Sequence, residues 1–310
     1  MTGKSELQVE GKSVPVSNLD KVLYPAIGFT KGQVIDYYIR VAPVLLPHLR
    51  NRPLTLKRYP DGVNGFFFYE KQCPSHRPTW IKTTQVKSHR EKGAIDYCVL
   101  TDLPALVWVA NLADLELHTF LHCAPAINRP TVVAFDLDPG PPADIVSCCN
   151  VGLWLKGIFE KLGLESFAKT SGSKGLQVYV PLNTATTYER TKEFARQIAE
   201  LVGREHPDCI VTKMQKSLRA GKVFVDWSQN DDHKTTVCVY SLRAKGRPTV
   251  STPLTWNEVE RGAKGRDRLV FEAAEVLARI EKQGDLFQPV LELKQKLPDA
   301  RRVHPGHSVH

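Results

Sequence analysis

Two acidic residues stand two positions apart at the end of a strongly apolar run, in Phe135-Asp136-Leu137-Asp138. Because side chains two residues apart on a β-strand lie on the same face, Asp136 and Asp138 could share a metal ion. A third acid, Asp226, interrupts the apolar run Val223–Trp227. If the two strands are neighbours, three carboxylates converge, and oxygen ligands are those that Mg²⁺ and Mn²⁺ prefer. Two such ions can catalyse phosphoryl or nucleotidyl transfer.

The same acids also have a structural explanation. Asp138 would cap the turn at Pro139-Gly140, and Asp226 would pair with a nearby lysine, which for a single Asp-x-Asp is the commoner outcome. Three acids at strand ends are harder to explain in this way, because buried carboxylates are costly without a cation or a dense set of donors. The combination therefore favours a metal site.

A short glycine-containing turn, Thr170–Gly175, could bind an anion. Its glycines would let backbone N–H groups turn toward a phosphate, and Lys174 adds positive charge. The spacing of a P-loop is absent and a strand follows, which argues against a P-loop NTPase. A small polar hairpin turn remains the alternative.

The segment from Lys213 to Arg247 contains eight lysines and arginines against three acids, and it flanks the strand that carries Asp226. A solvated basic face would have a similar composition. The position beside Asp226 instead favours one surface that handles both a metal ion and a triphosphate.

Composition sets the class of protein. The chain has 310 residues, 42% hydrophobic and 24% charged, which is typical of a globular protein with a real core and excludes disordered and fibrous classes. A formal net charge of +9 favours a polyanionic partner. We expect a cytoplasmic protein without a membrane span, because there is no apolar signal segment or long apolar stretch. Seven cysteines, an odd number without a Cys-x-x-Cys pair, predict reduced, buried thiols.

The elements that must position these residues alternate between helices and strands, without internal repeats. The predicted helices are Lys31–Arg50 capped by Thr30, Leu103–Leu117, one that ends near Gly163, and two opened by Thr186-x-x-Glu189 and Thr255-x-x-Glu258. The predicted strands are Thr131–Phe135, Phe167–Thr170, Leu176–Leu182, Lys222–Trp227 and Thr235–Leu242.

Several stretches, spread in order over roughly residues 15–290, resemble the archaeo-eukaryotic primase-like polymerases, in particular the polymerase domain of bacterial DNA ligase D used in non-homologous end joining. They are Asp20–Pro25, Tyr69–Gln72, Leu115–His118, Phe135–Gly140, Thr170–Leu176 and Ser217–Asn230. The resemblance implies an α/β (α+β) fold with a primase-like catalytic core, a central antiparallel or mixed β-sheet flanked by helices, and a smaller N-terminal module. We expect residues 1–125 to form this DNA-gripping module, 126–292 the catalytic core and 293–310 a flexible tail.

The resemblance also implies an activity: a polymerase that adds ribonucleotides in preference to deoxyribonucleotides to primer 3′ ends at gaps and double-strand breaks. Two Mn²⁺ or Mg²⁺ ions would be held by Asp136, Asp138 and Asp226. The implied nucleotide-binding residues are His118, Ser171, Lys174, Gln177, Arg219, Lys234 and Arg243. Gln177 departs from the family, which normally has histidine there, and glutamine cannot become a cation at neutral pH.

DNA contacts are implied as well, with Lys21 and Lys31 at a 5′-phosphate and Phe68 and Tyr69 stacked on DNA. Lys57 and Lys71 complete this predicted DNA-binding set. Without the resemblance, Lys21 and Lys31 would be ordinary surface lysines, the Phe-rich run would be core, and His118 would be a structural histidine on a helix. The expected partners are DNA ends, gapped duplex with a 5′-phosphate, nucleoside triphosphates, Ku and a DNA ligase at the bacterial nucleoid. A stand-alone primase or gap-filling polymerase, and a non-catalytic DNA-end-binding module, remain alternatives.

Overall fold

The computed structural model describes residues 4–87 and 93–298. Within these ranges the strands are β1 (Lys4–Val9), β2 (Lys12–Ser17), β3 (Val22–Tyr24), β4 (Phe29–Thr30), β5 (Pro53–Arg58), β6 (Phe68–Glu70), β7 (Lys82–Lys87), β8 (Ala94–Val99), β9 (Asp114–Thr119), β10 (Val132–Pro139), β11 (Phe167–Thr170), β12 (Leu176–Pro181), β13 (Ile210–Val211), β14 (Val223–Asp226), β15 (Thr236–Val237), β16 (Leu242–Ala244), β17 (Pro248–Val250) and β18 (Pro253–Leu254). The helices are α1 (Lys31–Leu49), α2 (Leu103–Asn111), α3 (Ile145–Lys161), α4 (Tyr188–Glu205), α5 (Trp256–Ala263), α6 (Ala273–Gln283) and α7 (Pro289–Glu292). Of these described helices, none is both long and apolar enough to cross a membrane.

The chain divides into two compact units. Within the described ranges, the first unit consists of residues 4–87, 93–127, 235–252 and 270–285, and the second unit of residues 128–234, 253–269 and 286–298. The first unit therefore takes two late segments from the range 126–292 in which we expected the catalytic core.

The second unit is built on a six-stranded sheet in the order β13-β14-β10-β12-β11-β18. All neighbours are antiparallel except β13 and β14, which are parallel, so the predicted mixed sheet with flanking helices is confirmed. Helix α3 contacts β10 and β12, while α4 contacts β10. The acid-bearing strand β10 lies between β14 and β12 in the middle of the sheet. Its residues Val133, Phe135 and Leu137 are therefore completely buried.

Capping residues fix where the main helices begin. Thr30 caps α1 and Thr255 forms a capping box at α5, as predicted, and Thr30 proves to form a capping box too, with Gln33. Helix α4 begins one residue later than the pattern indicated, because Thr187 rather than Thr186 accepts the hydrogen bond, from the backbone of Arg190. Strand β10 likewise extends beyond Phe135 to Pro139.

The first unit contains a five-stranded sheet in the order β15-β9-β5-β8-β7, with β6 paired to β5. The predicted helix Leu103–Leu117 is wrong in its second half, since α2 ends at Asn111 and β9 follows. Ala113 adopts a φ of 56° and turns the backbone, and the alternation of polar and apolar residues that follows is typical of a strand. The placement of His118 on a helix face is wrong for the same reason.

The predicted strand Thr235–Leu242 is also interrupted. Only Thr236–Val237 pairs, with β9, and β16 starts at Leu242. Tyr240, with a φ of 64°, breaks the extended backbone between them.

The prediction that all cysteines are reduced and buried is wrong. Cys73 and Cys98 form a disulfide with a Cα–Cα distance of 5.0 Å, and Cys209 is exposed. The Cys73 N–H donates to the carbonyl of Asp96 at 2.7 Å, which brings the segment after β6 beside β8. A separation of 25 residues along the chain conceals this contact.

Part of the predicted flexible tail 293–310 is held against other segments of the second unit, to which it belongs. The Gln295 N–H donates to the Leu182 carbonyl at 2.8 Å, and its side-chain amide donates to the carbonyls of Glu165 and Pro181 at 3.0 and 2.8 Å. Residues 299–310 lie outside the described residues.

Candidate active site

Three carboxylates meet on neighbouring strands of the second unit. In the antiparallel pair β10–β14, Asp136 lies directly opposite Asp226. Directly paired residues of an antiparallel ladder share a face, and Asp138 shares it because it is two residues from Asp136. The register therefore brings Asp136, Asp138 and Asp226 to one face of the sheet.

The Asp136 carboxylate is buried among other acids, as expected for a ligand of a metal cation. Its Oδ1 atom is buried and has no hydrogen-bond partner among the described residues. Burial, and then the charge of Asp138, raise the pKa of the Asp136 carboxyl to about 7. A buried oxygen without a donor beside two further acids is stabilised by a bound cation, so these residues fit a divalent metal ion.

Three hydrogen bonds from the turn that follows Asp226 orient its carboxylate. Its Oδ1 accepts hydrogen bonds from the backbone and hydroxyl of Ser228 at 2.9 and 2.5 Å, and its Oδ2 accepts one from Gln229 at 2.9 Å. The Lys234 ammonium donates to the Ser228 hydroxyl at 2.5 Å. The Ser228 hydroxyl therefore links Lys234, a predicted nucleotide ligand, to Asp226.

The row of paired residues continues from Asp136 to a buried lysine. Gln177 lies opposite Asp136 on β12, and Lys169 lies opposite Gln177 on β11. Lys169 is only 1% exposed, and its ammonium donates to the Gln177 Oε1 at 2.5 Å, where the Tyr179 hydroxyl also donates at 3.3 Å. The Gln177 side chain hydrogen-bonds to Asp136 and lowers its pKa, in opposition to burial. Gln177 therefore connects a buried cation to the carboxylates.

The predicted anion-binding turn is closed by its own serine. The Ser171 hydroxyl accepts hydrogen bonds from the backbones of Ser173 and Gly175 at 3.2 and 3.1 Å. Gly172 has a φ of 68°, which glycine adopts without strain. Lys174 is exposed at the tip. A β-carbon on Gly175 would lie 2.1 Å from the Leu137 carbonyl, so the glycine lets this turn lie against the acid-bearing strand.

Arg219 borders the same strand end. Its guanidinium lies 3.7 Å from the ring centre of Phe224, the residue opposite Asp138, and donates to the Met214 carbonyl at 2.8 Å. The Gly140 N–H donates to the Lys222 carbonyl at 2.8 Å, which fastens the segment to the end of β10. A cation thus lies close to the predicted metal ligands in the second unit.

The other two predicted nucleotide ligands belong to the first unit. His118 and Arg243 both contact the buried carboxylate of Glu116, at 3.0 and 3.3 Å. Burial lowers the pKa of His118, against the effect of Glu116. Lys57, predicted to bind DNA, reaches the same carboxylate at 3.3 Å.

The first unit also carries a cluster of basic residues around Lys31. The Lys31 ammonium donates to the Ser17 carbonyl at 2.7 Å, and Lys21 is exposed and pairs with Asp61 at 3.1 Å. Burial, then the charges of Lys21 and Arg58, lower the pKa of Lys31 to about 8. Lys31, Lys21 and Arg58 repel one another, so an anion bound among them would be stabilised.

Aromatic side chains are exposed on and before β6. Phe66, Phe67 and Tyr69 are 68%, 47% and 54% exposed, whereas Phe68 is half-buried beneath Arg58. Of the predicted stacking pair, Tyr69 is therefore the accessible one, and alternation along the Phe-rich run would have indicated Phe67 as its companion. Lys71, also predicted to bind DNA, is exposed.

A second acidic cluster lies in the second unit. The ligand atoms of Asp231, Asp232 and His233 lie within 4.8 Å of one another. Asp231 already forms an ion pair with Lys192 and lies 2.6 Å from the His233 imidazole. This cluster therefore offers a cation less uncompensated charge than the carboxylates on β10 and β14.

Sequence reasoning missed the residues that hold the predicted ligands in place. Glu116, Lys169, Ser228 and Gln229 bind the side chains of other candidates and lie on the strands or turns that carry them. The period of two could have indicated Glu116, which is two residues from His118, and Lys169 precedes the glycine-containing turn by one residue.

Comparison with known proteins identifies a matching family and similar chains. Residues 30–287 match the family described as LigD, primase-polymerase domain. The chain is 40% identical over 279 residues to the multifunctional non-homologous end joining protein LigD of Mycolicibacterium smegmatis, covering 89% of this chain and 36% of that protein. It is 33% identical to the bifunctional LigD of Bacillus subtilis, covering 87% and 43%. The chain thus spans less than half the length of these relatives.

A solved structure is similar over nearly its whole length. The polymerase domain from Mycobacterium tuberculosis ligase D in complex with DNA superimposes with a TM-score of 0.84 at 38% identity, covering 91% of this chain and 99% of that one.

Proposed function

Because the chain belongs to the LigD primase-polymerase domain family, whose members are nucleotidyltransferases, we propose that it extends primer 3′ ends with nucleotides at DNA gaps and broken ends in non-homologous end joining. The observation that carries this proposal is the pairing of Asp136 with Asp226 on adjacent strands, with Asp138 on the same face. Ribonucleotides are the preferred substrate in this proposal.

Asp136, Asp138 and Asp226 would hold two divalent cations, Mn²⁺ or Mg²⁺. When bound, such ions lower the pKa of a primer 3′-hydroxyl and neutralise the triphosphate. Ser228 and Gln229 keep the Asp226 carboxylate in one orientation, and Gln177 does the same for Asp136. These contacts preorganise the ligands and reduce the reorganisation needed on binding.

The basic residues would bind phosphates. In the second unit Ser171, Lys174, Arg219 and Lys234 would contact the triphosphate, and in the first unit His118 and Arg243 would contact the nucleotide. Lys21 and Lys31 would bind the 5′-phosphate of a gap, and Tyr69 would stack on DNA with Phe68 beneath it, beside Lys57 and Lys71. The exposed aromatic rings and the cluster around Lys31 support this assignment.

Primer extension on a gapped duplex tests the proposal, with ribonucleotides against deoxyribonucleotides, Mn²⁺ against Mg²⁺, and a 5′-phosphate against a 5′-hydroxyl. Asp226→Asn should abolish extension and weaken Mn²⁺ binding measured by electron paramagnetic resonance. Asp232→Asn, in the second acidic cluster, is the matched control and should change neither. Full activity of Asp226→Asn would refute the proposed site.

The same assays separate the alternatives. De novo synthesis on single strands, without a need for a primer, would indicate a primase, while DNA-end binding without any extension would indicate a non-catalytic module. We extend the proposal to Ku and a DNA ligase as partners and to a cytoplasmic location at the nucleoid, because end joining needs bridged ends and a sealing step. Pull-down of purified Ku tests this extension separately.

A further inference from the structure

A single buried carboxylate gathers three basic side chains in the first unit. Glu116 is 1% exposed, and its Oε1 accepts the Ala244 N–H at 3.0 Å. Its Oε2 lies 3.0 Å from His118 Nε2, 3.3 Å from Lys57 Nζ and 3.3 Å from Arg243 Nε. Both carboxylate oxygens are therefore used.

Strand register produces this arrangement. Lys57 on β5 lies directly opposite Glu116 on β9, and His118 shares the face because it is two residues further along β9. Arg243 comes from β16. Three separate strands thus deliver their basic groups to one carboxylate, which fixes their relative positions.

The side chains that contact Glu116 all carry basic groups. One carboxylate faces two permanent cations and an imidazole, and the side chains of Lys57, His118 and Arg243 are only 13–14% exposed. Although burial alone would raise the pKa of Glu116, the hydrogen bond from His118 and the nearby cations hold it well below its usual value, so Glu116 stays ionised. A place where two permanent cations and an imidazole are held around one carboxylate is one that a phosphate anion would stabilise.

We propose that Glu116 is a positioning residue that holds His118, Arg243 and Lys57 as one preformed anion-binding centre for a phosphate group. The identity of the anion rests on the proposed function, in which both the nucleotide and the DNA supply phosphates. Lys57 also lies over the rings of Phe67 and Tyr69, at 4.9 and 5.4 Å from their centres, so the same carboxylate orients the exposed aromatic residues through Lys57.

A buried acid on the same strand provides the matched control. Asp114 is fully buried two residues before Glu116, and burial raises its pKa well above the usual value. Its Oδ1 accepts the Lys57 N–H at 2.7 Å, an interaction that asparagine retains. Asp114→Asn therefore tests an acid-to-amide change in the same strand that keeps the hydrogen bond to the Lys57 backbone.

We expect Glu116→Gln to raise the nucleotide KM about tenfold or more, with kcat within about threefold, because the basic groups lose the charge that fixes them. Asp114→Asn should leave both constants within about twofold of the wild-type values. The affinities for nucleotide alone and for gapped DNA alone, measured by titration, distinguish the two sources of phosphate. Only the affinity for the ligand that supplies the phosphate should weaken. Unchanged affinity in both arms for a folded Glu116→Gln protein overturns the proposal.

A second measurement does not depend on the variant folding. Glu116 can position His118 only if Nε2 carries a proton, so ¹⁵N NMR of labelled histidine should show the Nε2–H tautomer for neutral His118 in the wild-type protein. Observation of the Nδ1–H tautomer overturns the proposal. Failure of wild-type protein to extend a primer would refute the proposed function instead, and the nucleotide titrations and NMR would still decide the role of Glu116.

Discussion

Buried charges are matched to partners across strand pairs. The Lys169 ammonium meets Gln177 on the next strand, and Glu116 meets Lys57 in the same way. Each match depends on register, because shifting one strand by one residue would turn the side chain to the opposite face. At the scale of residues, the chemistry of this chain is therefore set by pairs rather than by isolated functional groups.

Lys31 leads to a prediction about pH. Its pKa of about 8 means that it loses its charge as pH rises through that value, whereas an exposed lysine stays charged to about 10.4. We expect the preference for gapped duplex with a 5′-phosphate over a 5′-hydroxyl to decline above pH 8, measured by fluorescence anisotropy at constant ionic strength. Lys31→Arg stays protonated and should keep the preference. An identical pH response of the two proteins would contradict this role.

Gln177 leads to a prediction about the family's usual histidine. A neutral imidazole can donate to Asp136 and accept from Lys169, but a charged one would repel Lys169. Gln177→His should therefore retain extension while changing the KM for at least one nucleotide, which steady-state kinetics with each ribo- and deoxyribonucleotide would measure.

Gln177→Met is the comparison for this variant. It removes the acceptor that Gln177 offers to Lys169, and it should cost about 2 kcal/mol of unfolding free energy. Unchanged kinetics of Gln177→His with every nucleotide would mean that position 177 has no influence on substrate.

At the scale of elements, four strands and the three longest helices of the second unit could be predicted, and the order of the strands in the sheet could not. Strands β10, β11, β12 and β14 and helix α5 follow from apolar runs and capping residues that act locally. Their order in the sheet depends on contacts between distant segments, which residue patterns do not encode. The position of His118 was mistaken because the apolar spacing of α2 continues into β9, and only the φ of Ala113 separates the two.

In the candidate site as well, some residues could be predicted from the sequence and others could not. The acids, the turn and the basic residues could be named from the sequence, because their chemistry is visible in the residue types. The disulfide, the contacts of Glu116 and the hydrogen bond from Lys169 to Gln177 depend on which strands are adjacent.

Glycine 175 allows a test of how the turn is held against β10. In Gly175→Ala the new β-carbon would meet the Leu137 carbonyl at 2.1 Å, so we expect a loss of about 2 to 4 kcal/mol in unfolding free energy and loss of extension. Gly157→Ala, on α3 with no atom within 4 Å of the added carbon, should instead stabilise the protein by about 0.5 to 1 kcal/mol. Urea unfolding compares them, and equal effects would show that the turn does not need glycine.

The disulfide should stabilise the first unit, because it closes a loop with a sequence separation of 25. A loop of this length contributes about 3 kcal/mol by restricting the unfolded chain. Reductant should lower the denaturation midpoint of wild-type protein but not that of a Cys73→Ser, Cys98→Ser double variant. Thiol titration of unreduced, denatured protein should give the five free cysteines Cys123, Cys148, Cys149, Cys209 and Cys238. A count of seven would show that the bond does not form.

At the scale of the whole molecule, the formal net charge of +9 predicts DNA binding that weakens steeply with salt. The logarithm of the association constant should fall linearly with the logarithm of salt concentration, by about 0.9 for each phosphate contacted. Lys21→Ala should reduce this slope by about one, in titrations over a series of KCl concentrations. An unchanged slope would exclude Lys21 from contact with a phosphate.

Residues 235–252 and 270–285 return to the first unit after the chain has built most of the second. A fragment that stops at residue 127 would lack β15, the hydrogen-bonded neighbour of β9, together with the strand that supplies Arg243. Truncation at a single point therefore cannot yield an intact first or second unit. Isolating either unit requires a gene that is permuted or joined from separate segments.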